Sequence, residues 1–229
     1  MAEGKTLNHI EVCVFDAYGT LFDTNAATAG CRDVLGGTAE TLASIWRTKQ
    51  LEYTWLRSLR GDYVDFWHIT GQSLDYAMAS LGLADDCLRA RLMELYYVLD
   101  IYTEVPGVLE AIKSSGRRTA ILSNGSPSML IAAVRRAGLE RLLSEIISVD
   151  AVKIYKPHPS VYQLAVDRLR VAREHICFLS ANGWDVSGAA HFGFRVVWIN
   201  RNAAQPEQLP GQPEHEIRSL EELPALLDS

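Results

Sequence analysis

Apolar residues along this chain follow two rhythms. Five short runs are nearly continuous and rich in β-formers: residues 12–15, 119–122, 146–149, 176–179 and 195–199. Between them, apolar positions recur at helical spacing. Continuous apolar strands alternating with helices predict a parallel sheet covered on both faces, a three-layer α/β/α arrangement. Residues 25–99 break the alternation. There the pattern is helical throughout, punctuated by Gly30, Gly36, Gly37, Gly61, Gly82 and the acidic turn at Asp85 and Asp86. The longest helix is expected over 38–59. Leu42, Ile45, Trp46, Tyr53 and Leu56 make one stripe on it, and Leu51 and Trp55 lie on a second face with Arg47 one turn before Leu51. A helix apolar on two sides must bury both, one within the insert and the other against a partner subunit or a site.

The later chain carries clear punctuation. Residues 102–107 read as a loop, with Pro106 near the start of a helix ending around 115–116. Another helix runs to 137–138. The stretch 153–159 is a stiff basic loop, and Pro159 is placed to open a helix to Leu169. Ser219 and Glu222 have the spacing of a capping box for a last short helix. No internal repeat or low-complexity segment is present.

Composition narrows the class. With 229 residues, 48% hydrophobic and 22% charged, the chain has ordinary globular usage and fits one large α/β domain or a core with an insert. A net charge of −6 argues against the basic face that nucleic acid requires. It leaves a small anionic substrate open, since local charge can oppose net charge. Cys13, Cys31, Cys87 and Cys177 have no paired spacing and read as free thiols of a reducing compartment. The first nine residues are polar, unlike a secretory leader, and no run has the length of a membrane span. A soluble cytoplasmic protein without a membrane partner is expected.

Four strands end in polar clusters: Asp16; Ser123 and Asn124; Lys156 beyond the third strand; and Ser180, Asn182 and Asp185. Any one of these could be a turn former. Together they fall at one edge of a parallel sheet, the edge where such sheets bind ligands. Asp16, followed at once by a Gly19–Thr20 turn, is the candidate nucleophile or metal ligand.

The order Asp-x-x-Gly-Thr, Ser-Asn, Lys-Pro and a last carboxylate resembles the haloacid dehalogenase superfamily over nearly the whole chain. Within it, the segments 15–23, 46–57, 122–125, 155–157 and 180–185 resemble the L-2-haloacid dehalogenases. The resemblance implies a Rossmann-like core of residues 1–23 and 101–229, with a helical cap of residues 24–100. It also implies a two-step reaction. Asp16 attacks the halogen-bearing carbon of a short (S)-2-haloacid, expels halide and forms an ester, which water then hydrolyses to the 2-hydroxy acid. Asp185 is the natural base for that water, with Asn182 placing it. Lys156 offsets the repulsion between the two carboxylates and holds Asp16 ionised.

Arg47 and Asn124 are assigned to the halide by the resemblance. A guanidinium, always charged and weakly hydrated, suits a site closed to water. Leu51, Phe66 and Trp184 match wall positions. Ser123 and the backbone N–H groups near Ala17, Tyr18 and Asn124 are expected to meet the substrate carboxylate. Thr20 and Ser180 are expected to orient Asp16 and its neighbours, and Tyr162, one turn into the helix after Lys156, matches a catalytic position of the family near that lysine. Thr48 departs from the glutamine usual after the halide-binding arginine, and this bears on preferences for chain length and halide.

The family's phosphatases place a second aspartate two residues after the nucleophile, to protonate an alkoxide. Here Tyr18 stands there, and a departing halide needs no proton. That favours dehalogenation over the alternative, a magnesium-dependent phosphomonoesterase. A third reading is a binding module with a dead site. No cofactor and no metal are expected: the six histidines show no His-x-x-x-His pair, and a cation on Asp16 would blunt it toward carbon. The resemblance and the two-sided helix point to a homodimer.

Overall fold

Six strands join in one wholly parallel sheet, in the order β3-β2-β1-β4-β5-β6. They are β1 (Val12–Phe15), β2 (Arg118–Ser123), β3 (Glu145–Ser148), β4 (Ile176–Ser180), β5 (Arg195–Ile199) and β6 (His215–Ile217). The structure is a computed structural model and describes residues 7–227. Most of the polar N-terminal segment lies outside the described residues. β1 and β4 are buried along their whole length, because helices cover both faces of the sheet. The chain winds outward from β1 to β2 and β3 on one side, then returns to β4 and winds the other way. The change of direction between β1 and β4 opens a crevice at the carboxyl ends of the strands.

Six α-helices lie between β1 and β2, and the first five form the insert: α1 (Ala26–Ala29), α2 (Arg32–Leu35), α3 (Ala39–Arg60), α4 (Phe66–Ser80) and α5 (Asp86–Tyr97). Asp65 and Asp85 cap α4 and α5 with their carboxylates. The two ends of this insert are pinned side by side. Asp23 N–H donates to the Asp100 carbonyl (2.9 Å) and Tyr102 N–H to that of Leu21 (3.0 Å). The sheet is flanked by α6 (Val105–Ser114), α7 (Pro127–Arg136), α8 (Pro159–Leu169), α9 (Gly183–Phe192) and α10 (Leu223–Leu227). Pro159 opens α8, and the Ser219–Glu222 capping box forms on the turn before α10.

Several sequence expectations are corrected. β6 was not foreseen; it is three residues long and pairs on one side only. Val149 ends in a 3₁₀ turn rather than in β3. α6 starts at Val105, so Pro106 and Gly107 lie inside its first turn, where a proline loses no hydrogen bond. The apolar stripe expected on α3 holds only in its first half. Leu42 and Trp46 are buried, followed by Gln50 and Thr54, whereas Leu56 is 52% exposed. The buried face of α3 turns polar at Gln50, where it meets Thr70 of α4 and Tyr96 of α5. No helix among the described residues is long and apolar enough to cross a membrane.

Candidate active site

Residues that follow β1, β3 and β4 meet on one carboxylate, and Asn124 after β2 holds the backbone of Lys156. Asp16 follows β1 directly, and its N–H donates to the Leu179 carbonyl (2.8 Å), which continues the ladder toward β4. The chain then reverses. The Ala17 carbonyl accepts from Leu21 (2.9 Å) and Phe22 (3.0 Å), and Gly19 sits at φ 88°, a conformation that strains any residue with a Cβ. This turn carries Thr20 back over Asp16.

Both Asp16 oxygens are held. Oδ1 accepts from Lys156 Nζ (3.0 Å); Oδ2 accepts from Asn182 Nδ2 (2.8 Å) and Thr20 Oγ1 (3.1 Å). The side chain keeps 9% exposure, whereas those of Lys156 and Asp185 keep 1% and none. Thr20 Oγ1 also accepts from Ala181 N–H (2.9 Å), so its one proton is aimed at Asp16. Ser180 Oγ accepts from Asn182 N–H (3.1 Å) and shapes the loop that delivers that amide.

Lys156 bridges the two carboxylates. Its Nζ donates to Asp185 Oδ2 (2.8 Å) as well as to Asp16, and it lies 4.9 Å from the Phe178 ring centre. Burial alone would lower its pKa, but the charges of Asp16 and Asp185 outweigh burial and hold it above the ordinary lysine range. Burial pushes Asp185 up to about 6; Lys156 opposes the rise and the Asp16 charge adds to it. Tyr162 OH donates to Asp185 Oδ1 (2.8 Å) and also favours its ionised form. Among the described residues, no group of three or more His, Cys, Asp and Glu is placed to hold a metal ion.

Arg47 reaches down from α3. Its Nη2 donates to Asn182 Oδ1 (3.2 Å) and its Nη1 to Gln50 Oε1 (2.8 Å). Asn124 accepts from Lys156 N–H through Oδ1 (3.0 Å), which leaves its amide nitrogen to donate to a ligand. Ser123 is buried, and its Oγ accepts from Gly125 N–H (3.0 Å). At Gly125 an added Cβ would stand 2.7 Å from the Tyr18 ring, so the glycine makes room for that ring. Tyr18 stacks on Tyr96 (5.8 Å between centres, 19°) and packs against Phe66 (5.6 Å). Its hydroxyl is buried without a partner, and burial holds it far above the ordinary tyrosine pKa. Trp184 meets Trp55 edge to face (5.5 Å), and Leu51 is half-buried.

The sequence-predicted residues therefore converge: Asp16, Thr20, Lys156, Asn182, Asp185, Tyr162 and Arg47 form one hydrogen-bonded system. Thr48 does not join it. It is exposed and lines an open surface cavity of about 530 Å³ that Arg47 also touches. Gln50 and Tyr96 were not foreseen. Gln50 lies three residues after Arg47, a helical spacing that could have marked it.

A family model described as haloacid dehalogenase-like hydrolase matches residues 10–193. The chain belongs to this hydrolase family. Within the family, (S)-2-haloacid dehalogenase 1 of Pseudomonas sp. (strain CBS-3) is 48% identical over 223 residues, covering 96% of this chain and 98% of that protein. (S)-2-Haloacid dehalogenase 4A of Burkholderia cepacia is 44% identical, covering 96% of each. The structure of an L-2-haloacid dehalogenase from Xanthobacter autotrophicus with chloropropionic acid covalently bound is 36% identical. It superposes with a TM-score of 0.89 over 96% of this chain and 99% of that one. This hydrolase thus shares its fold with a relative to which chloropropionic acid is covalently bound.

Proposed function

We propose that this hydrolase converts short-chain (S)-2-haloalkanoic acids to (R)-2-hydroxyalkanoic acids and halide. The observation that carries the reading is a buried carboxylate fixed by an ammonium, an amide and a hydroxyl, with a tyrosine where a phosphatase would keep its acid.

In the first step an Asp16 oxygen attacks the halogen-bearing carbon from behind. The C–O bond forms as the C–halogen bond breaks, and the electron pair leaves with the halide. The centre inverts from S to R and an ester to Asp16 remains. Arg47 and the Asn124 amide meet the charge that develops on the halogen. Ser123 and the N–H groups around Ala17, Tyr18 and Asn124 receive the substrate carboxylate. Leu51, Phe66 and Trp184 enclose the alkyl part. In the second step water attacks the Asp16 carbonyl carbon and gives a proton to Asp185. The bond from that carbon to the substrate oxygen breaks, and the alkoxide takes up a proton. Overall, water is consumed, and hydroxy acid, halide and a proton are released. Asn182 and Ser180 place the water, and Tyr162 orients Asp185.

No metal is assigned a part, because the ammonium of Lys156 fills the position between the two carboxylates. Residues 24–100 act as a cap over the crevice, and residues 1–23 and 101–229 form the catalytic core. Leu56 and Leu59, exposed on α3, offer a second copy of the chain an apolar face, and a homodimer follows. Three buried thiols and one exposed, all unpaired, fit a cytoplasmic setting without nucleic-acid or membrane partners.

The test is halide release from each enantiomer of 2-chloropropanoate with chelator present. The S form is consumed and the R form is not. Absence of halide from every haloacid, or magnesium-stimulated phosphate release from a phosphomonoester, overturns the reading.

A further inference from the structure

Arg47 does not aim itself. Its side chain is long and half-buried, and a guanidinium without partners would swing. One of its two hydrogen-bond partners, Asn182, stands in the loop after β4 and bonds Asp16. The other is Gln50, which is 1% exposed and touches none of the reacting groups.

The orientation of the Gln50 amide follows from its neighbours. Thr70 Oγ1 donates to the Phe66 carbonyl (2.7 Å), which uses its only proton. Toward Gln50, Thr70 can therefore only accept, and Gln50 Nε2 donates to it (2.8 Å). The amide oxygen must then face the other way. There it accepts two donors, Arg47 Nη1 (2.8 Å) and Tyr96 OH (3.1 Å). Thr70 is itself fixed, because Trp46 Nε1 donates to its carbonyl (2.9 Å). At the far end Asn182 Nδ2 donates to Asp16 Oδ2 and to the Tyr18 carbonyl (3.1 Å), which turns its oxygen to Arg47 Nη2. Both amides thus present oxygen to the guanidinium. A reversed Gln50 would set N–H against N–H.

We infer that Gln50 is a positioning residue: the relay Phe66–Thr70–Gln50 fixes its amide so that Arg47 is aimed at the departing halide. The inference rests on the dehalogenase reading above. Its signature is selective. Chloride is a poorer leaving group than bromide and carries more concentrated charge, so it depends more on an aligned donor. A residue that merely fills space would affect both alike.

The experiment measures kcat and KM on (S)-2-chloropropanoate and (S)-2-bromopropanoate for the parent and three variants. Gln50→Met keeps length and removes the amide. Its kcat falls roughly 100-fold on the chloride and about tenfold on the bromide, with KM changed by less than about threefold. Gln50→Glu keeps an oxygen for Arg47 and recovers most of the chloride rate. Thr70→Val removes the acceptor that fixes the amide and raises the bromide-to-chloride kcat ratio even if Gln50→Met does not fold. Equal losses on both halides, parental kcat in Gln50→Met, or an unchanged ratio in Thr70→Val overturn the inference and leave the dehalogenase reading standing. A parent silent on both substrates overturns that reading and this inference with it.

Discussion

Lys156 Nζ lies 2.8 Å from Asp185 Oδ2, and both side chains are shut away from solvent. The same nitrogen serves Asp16, so one cation balances two buried anions. Removing one partner of such a system leaves uncompensated buried charge. Lys156→Met is expected to lose about 3–5 kcal/mol of stability in urea denaturation and to lack measurable halide release. A variant that keeps parental stability would show that the ammonium does not hold the two carboxylates together.

The position of Asp185 gives a pH dependence. Burial raises its pKa to about 6, and in its proposed role as base it works only when ionised. Turnover therefore falls as pH drops through about 6. Tyr162 OH stabilises the ionised form, so Tyr162→Phe moves this acid limb to higher pH. The folding sign is opposite. A carboxyl whose folded pKa lies above its unfolded value favours the native state below that pKa, so its contribution declines as pH rises from about 4 to about 6. A pH profile of kcat for parent and Tyr162→Phe checks the limb, since the water attack follows halide expulsion; an unmoved limb contradicts it.

Tyr18 offers a stability test. Its buried hydroxyl lacks a partner, and an unpaired buried polar group carries a desolvation cost. Tyr18→Phe keeps the stacking on Tyr96 and removes that cost. The variant is expected to gain up to about 1 kcal/mol in chemical denaturation. A loss of stability would mean the hydroxyl has a partner after all.

Chelation tests the donor set. The space between Asp16 and Asp185 is filled by Lys156, so EDTA is expected to leave haloacid turnover unchanged and added magnesium to give no stimulation. A chelator-sensitive rate restored by a divalent ion would contradict the assignment.

Much of this site was legible because its parts are local. Asp16 ends an apolar run and is followed by a glycine turn, and Ser123 and Ser180 each end a strand; parallel pairing then places them at one edge without further information. The direction of α3 was less legible. Spacing marked two faces, but only the fold shows that the buried stripe continues through Gln50 and Thr54 while Leu56 points outward. Gln50 binds Tyr96, 46 residues away, and Thr70, 20 away, and such pairings leave no mark in a local pattern. β6 was missed for a similar reason: a His-Glu-Ile edge strand has no alternation to detect.

In the proposed mechanism Asp16 becomes esterified and water attacks its carbonyl rather than the substrate carbon. A single turnover in ¹⁸O-water, with enzyme in excess over (S)-2-chloropropanoate, tests it directly. Heavy oxygen is expected in the peptide containing Asp16, with the first hydroxy acid released unlabelled. A labelled product beside an unlabelled Asp16 peptide would contradict the account.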